Sequence, residues 1–207
     1  MPAFKPQIPM VVDPTGVRTS TDPRPMGIGT DASRAEVAEG TGGSPLVDFA
    51  ATSNPYIDYQ SVDLLLSLQH PRSEAYDEMC FFIMGQVKEL LFKSLHFELH
   101  NARHLVREGS VDDALIVLDR SREVARLLTS AWDVVATISA EGFNQFRDHL
   151  DQASGQLSFM YRHVEFILGN KDRRLAGAHR NVPHVWPYME EALETPSFYD
   201  EVIALLH

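Results

Sequence analysis

Two groups of residues in this 207-residue chain have types and spacings suited to chemistry. The first is a run of three histidines, His96, His100 and His104, four residues apart. On a helix that spacing stacks the imidazoles along one stripe, and a pair four residues apart can chelate Zn or a similar ion. The same stripe also fits a solvated polar edge, because no Cys or carboxylate pattern supplies the remaining ligands. The second group centres on Arg147 in the run GFNQFRDHL, where Phe143 lies one helical turn earlier and Phe146 adjoins it. A guanidinium among aromatic rings can hold a carboxylate through two parallel hydrogen bonds beside an apolar ring pocket. On spacing alone Arg147 could instead pair with Asp148 or Asp151 on a surface. Tyr56, Tyr59, Phe81 and Phe82 could line such a pocket or fill a core.

A glycine-rich run, GTGGS at Gly40–Ser44, could wrap an anion with backbone N–H groups or act as a linker. No phosphate-binding P-loop, G-x-S-x-G elbow or H-E-x-x-H pair occurs. A formal charge of −11 argues against a general nucleic-acid binder, since phosphate contacts need a basic surface. The lone cysteine, Cys80, excludes a disulfide framework and suits a reducing compartment. The longest apolar run, Met79–Met84, is far short of the roughly 20 residues that a membrane span needs. No basic-then-apolar leader opens the sequence, so the expectation is a cytoplasmic protein with no membrane partner.

The element that must position these groups runs from Ser73 to Gly109. Met79, Ile83, Val87, Leu90, Leu91, Leu95, Leu99, Ala102 and Val106 recur there at helical spacing, which predicts one long amphipathic helix. Ser73 is placed to cap its start, and Gly109 to close its end. Ser110 and Asp113 form an approximate capping box opening a second long helix to about Ile138, with Val111, Leu115, Leu118, Val124, Leu128, Ala131, Val134 and Val135 inward. The short link between them predicts an antiparallel hairpin. Shorter helices are expected at 56–69, after Ser139, at 158–168, at 186–193 and at 197–206, with a basic loop at 171–182. Residues 1–55 hold eight of the twelve prolines and few large apolar residues, so they read as a flexible arm before a helical domain at 56–207. No convincing strand appears, and the fold class is all-α. The apolar faces outnumber the partners one chain supplies, which predicts self-association.

The run PYIDYQSVDLLLSLQHPRSEAYDEMCFFIMGQVKELLFKSLHFEL resembles the N-terminal helical region of the tryptophan 2,3-dioxygenases. That family shows Y-x-x-Y, then L-L-x-x-Q, then H-D-E, then F-x-x-x-H-Q-x-x-E-L-W-F-K. AWDVVATISAEGFNQFRDHLDQASGQLSFMYRHVEFILGNKD resembles its second block, and ALETPSFYDEVIALL resembles a later segment. The resemblance covers about Tyr56 to Leu206 in the family's order. It implies an all-α helical bundle and a haem (Fe) enzyme, a dimer or tetramer of like chains, that inserts both atoms of O2 into the indole C2–C3 bond of tryptophan. Hydroxylation of a related aromatic or indole substrate is a variant of the same implied activity.

Carried over by position, Arg147 matches the arginine that holds the substrate carboxylate, Phe143 the aromatic one turn before it, and Phe81 the pocket phenylalanine. Tyr56 and Tyr59 match an N-terminal pair that reaches into a neighbouring subunit's pocket. Gly85 falls where the family has its distal histidine, which leaves space for a water or a larger substrate. Tyr76 replaces the histidine before Asp-Glu, and Leu91 replaces the tryptophan of E-L-W-F-K. The resemblance stops short of the segment that carries the family's proximal haem histidine, and His179, His184 and His207 do not match that motif. Catalytic residues and a metal ligand are therefore unassigned. The alternative implied is a non-catalytic or split-enzyme subunit that binds an aromatic molecule or a partner chain without haem of its own.

Overall fold

The computed structural model describes Arg24, residues 28–43 and residues 54–207. Every regular element among them is helical. The chain divides into two compact units, Met1–His70 and Pro71–His207.

In the first unit, α1 (Asp31–Thr41) stands in the stretch read from composition as a flexible arm. A Thr30–Ser33 capping box starts it, and Gly42, at φ 60°, ends it. None of its residues is buried, in keeping with its few large apolar side chains. Four residues of the GTGGS run thus terminate a helix, while Ser44 lies outside the described residues. The single helix expected at 56–69 is two, α2 (Pro55–Gln60) and α3 (Val62–Leu66). Asn54 caps α2 through the N–H groups of Tyr56 and Ile57, and Ser61, at φ 52°, breaks the run between them. Arg24 binds Asp58 and Asp63, one from each helix. Leu65 and Leu68 are exposed.

The second unit is built on the expected hairpin, α4 (Tyr76–Arg107) and α5 (Val111–Val135). Between them Gly109 turns the chain at φ 78°, where its N–H and that of Ser110 bond to Val106 and Leu105 carbonyls. Two expected caps are corrected. Ser110 makes no side-chain cap bond, and Ala75 rather than Ser73 is the N-cap of α4, Ser73 hydrogen-bonding Glu78 instead. Leu118, Val124 and Leu128 of α5 pack on the Leu95–Leu99 core as expected, but the rest of its inward face differs. Ala114, Val117, Ser121 and Ala131 are buried, whereas Val111, Leu115 and Val134 face solvent. Small residues let two helices approach closely, and that outweighs the larger side chains beside them.

After α5 come α6 (Ala140–Asn144), a 3-10 turn at Arg147–Leu150, another at Gly155–Leu157, and α7 (Phe159–Ile167). The expected loop at 171–182 contains α8 (Arg173–Ala176) and a 3-10 turn at Gly177–His179. α9 (Trp186–Glu194) and α10 (Phe198–Leu205) follow. α7 joins the two cores: Val164 and Ile167 pack with Leu95 and Leu99 of α4, and Phe166 packs with Val185, Met189 and Leu193 around α9. Among the described residues no helix is long and apolar enough to cross a membrane.

Candidate functional site

The aromatic group converges at the start of α4. Phe81 lies 6.0 Å, centroid to centroid, from Phe143 and 5.4 Å from Phe146, and those two rings meet edge-on at 5.2 Å. Phe146 is fully buried. Edge and tilted contacts of this kind suit aromatic quadrupoles and fix the rings against one another.

Local chemistry explains why the segment holds this shape. Ser139 caps α6 by accepting the Gly142 N–H at 3.0 Å. Gly142 is glycine because a Cβ there would fall on the Asp77 carboxylate, which seats α6 on the first turn of α4. The adjacent Glu78 is buried and accepts the Arg72 and Ser73 N–H groups, both at 2.7 Å, and the Ser73 hydroxyl. Burial opposes its ionisation, but these bonds and the charge of His149 outweigh that and hold its carboxyl below the usual range.

Arg147 opens the 3-10 turn that follows Phe146, and it is exposed. The turn ends at Asp151 with φ 48° and ψ −120°, a conformation that L residues rarely adopt. No ion pair joins Arg147 to Asp148, Asp151 or any other acid among the described residues. The surface salt bridge open on spacing alone does not form there. A guanidinium with no ion pair among the described residues, next to half-buried Phe81 and Phe143 backed by buried Phe146, can bind a carboxylate whose apolar body lies on the rings.

The histidine stripe divides. His104 pairs with Glu108 at 3.1 Å on the surface, while His96 turns inward to His163 of α7, with ring centroids 5.4 Å apart. Burial, then the neighbouring His163, His100 and Arg103, push His96 down to about 4. Burial likewise lowers His163, with His179 beside it, and His100, with Arg103 beside it. His179 is buried, and its Nε2 has no hydrogen-bond partner among the described residues. Hollows of about 210 Å³ and 300 Å³ flank His96, His163 and Tyr188. No group of three or more His, Cys, Asp or Glu that could hold a metal ion occurs among the described residues.

Residues 42–192 match the sequence profile described as tryptophan 2,3-dioxygenase. The chain belongs to the tryptophan 2,3-dioxygenase family. It is 40% identical over 152 residues to a tryptophan 2,3-dioxygenase of Shewanella woodyi, an alignment covering 73% of this chain and 53% of that protein. It is also 40% identical over 157 residues to tryptophan 2,3-dioxygenase 1 of Ralstonia nicotianae, covering 76% of this chain and 53% of that one. A Pseudomonas fluorescens tryptophan 2,3-dioxygenase gives 40% over 157 residues, covering 76% and 55%. The chain spans about half the length of the curated relatives it matches.

Of the family positions read from the sequence, the structure brings Phe81, Phe143 and Arg147 into one region of the second unit. Gly85 follows Phe81 by one turn of α4, and among the described residues outside its own helical turn no atom lies within 4 Å of where a Cβ would stand. Tyr56 and Tyr59 belong to the first unit, on α2, and both are largely exposed. Sequence reasoning missed the Glu78 clasp, because acids in the first turn of a helix are expected there for the helix dipole alone. It also missed the pairing of His96 with His163, which no spacing rule links across 67 positions.

Proposed function

We propose that this chain supplies the substrate-recognising wall of a haem-dependent oxygenase acting on tryptophan or a closely related aromatic amino acid, with O2 as co-substrate. The observation that carries the reading is the exposed Arg147, with no ion pair among the described residues, beside the half-buried Phe81 and Phe143 and the buried Phe146. In this reading Arg147 takes the substrate carboxylate bidentately, Phe81 and Phe143 bear on the ring, and Phe146 holds them in place. Tyr56 and Tyr59 serve the pocket of a second copy in a homo-oligomer, a role that their exposure on α2 supports.

Haem, when bound, supplies the oxygen chemistry of such a reaction. The described residues beside Arg147 offer it an aromatic wall but no buried imidazole. His149 is exposed and acts on Glu78, and His96 lies fifteen residues beyond Phe81 on α4, about 22 Å along the helix. These residues do not provide an iron ligand, and the roles above are those of the chain's own side chains.

The test is calorimetric titration of the full chain with tryptophan. Replacing Arg147 by Ala should weaken binding about tenfold, the loss of a charge-assisted bond at an exposed site. Unchanged affinity would sink the assignment. The haem part is tested by adding hemin to the full chain and recording its absorption spectrum. A Soret band that shifts with tryptophan supports it, and absence of stoichiometric uptake contradicts it for this chain.

A further inference from the structure

We propose that the chain holds a second ligand site, independent of Arg147. The hollow between α4, α7 and α9 takes a small organic acid, a single carboxylate on a one-ring apolar body, with Arg103 binding the carboxylate.

Arg103 carries the assignment. It lines the hollow, is half-buried, and burial works against its charge. Its guanidinium spends Nη1 on the Pro196 carbonyl at 3.0 Å, and no ion pair joins it to any acid among the described residues. Arg107, one turn further along α4, is by contrast paired with Glu201. A guanidinium offers five N–H donors in a planar fork that matches a carboxylate, so most of that fork is left for a ligand. Drawing such a cation out of water without a counter-ion is costly, and an arriving anion relieves the cost.

The opposite wall supplies a second, independent observation. His163 of α7 is about nine-tenths buried and lines the same hollow, as does His96. Both meet neighbours only as rings, His163 with His96 at 5.4 Å and with Phe159 at 6.4 Å, and neither has a hydrogen-bond partner among the described residues. Burial lowers the pKa of each, so at neutral pH each offers an N–H without adding a charge.

Charge and size set the ligand class. Arg103, His104 and Arg107 each act on His100 more strongly than Glu191 does, so this wall is positive although the chain as a whole carries −11. Glu191, exposed at the same hollow, disfavours a second negative charge on the ligand. Phe166, Ile167 and Ala192 make the apolar part of the lining. The volume is about 210 Å³, and a cavity of about 150 Å³ holds benzene, so there is room for one ring and its carboxylate.

The experiment titrates the full chain at pH 7 with phenylacetate and with the uncharged phenylacetamide, following the histidine ring signals by NMR. Phenylacetate should shift the His96 and His163 signals, and the amide should bind about tenfold more weakly, the worth of a charge-assisted bond. Arg103→Gln should weaken the acid about tenfold at these signals, whereas in Arg147→Ala the same shifts should persist at unchanged affinity. Ala192→Leu, which fills the hollow and leaves its charge alone, should suppress the shifts and serves if Arg103→Gln does not fold. Absence of any shift at His96 and His163, equal binding of acid and amide, or full affinity in both hollow variants overturns the site. Shifts lost in Arg147→Ala alone overturn it too, since the acid would then bind only at the Phe81 cluster. None of these results bears on tryptophan at Arg147, which its own titration tests.

Discussion

Acid should loosen the α4–α7–α9 core through His96. This imidazole is held at about 4, against an ordinary 6.5, by burial and by His163, His100 and Arg103. Because the folded value is depressed, the unfolded chain takes up the proton first as pH falls. Stability is therefore intact above about 6.5 and is lost progressively down to about 4. The two values give a loss of about 2 kcal/mol between pH 7 and pH 5. Part of the ring remains in contact with solvent, which halves this to about 1 kcal/mol. His100, His163 and His179 are shifted in the same direction and add to it, while Glu191 opposes the shift at His100 and His163. The lowered carboxyls of Glu78, Asp63 and Asp200 titrate below their ordinary 4.5 or 3.8, outside this window. Urea unfolding of wild type and of His96→Leu at pH 7 and pH 5 measures the effect. The variant should lose about 1 kcal/mol less than wild type on acidification. An equal loss in both chains would refute the assignment to His96.

Other substitutions test the packing around Arg147. Phe146→Ala should destabilise the chain by about 3–5 kcal/mol in chemical denaturation, because the ring is fully buried against Phe81 and Phe143. Glu78→Ala removes the acceptor for two N–H groups and a hydroxyl, and should cost about 2–3 kcal/mol by the same measurement. Gly85→Ala should raise the unfolding free energy by about 0.5–1 kcal/mol, since helix propensity improves and no atom of the described residues stands in the way.

The hairpin was legible in the sequence because α4 and α5 carry long apolar periodicity bounded by a Gly-Ser link, and both helices lie within the expected limits. The face of α5 was legible only in part, at Leu118, Val124, Leu128 and Ala131. Leu115 and Val134 rank above Ala114 and Ser121 in hydrophobicity, yet close helix approach buries the smaller residues. The break at Ser61 that divides the helix expected at 56–69, and the helix at 173–176, lie in segments too short for periodicity to place, and they depend on local caps such as Asn54 and Asp172. Arg147 with Phe143 was legible as a motif because the two are close in sequence. The contact of both neighbours with Phe81 needed tertiary structure, as did the exposure of Gly85 to open space and the burial of Glu78.

The claim that Arg147 binds a carboxylate is tested most directly by comparing tryptophan with tryptamine, which lacks that group, in wild type and Arg147→Ala. The account predicts that wild type prefers tryptophan by about tenfold or more, and that the variant binds both alike. A preference that survives loss of the guanidinium would place carboxylate recognition elsewhere in the molecule.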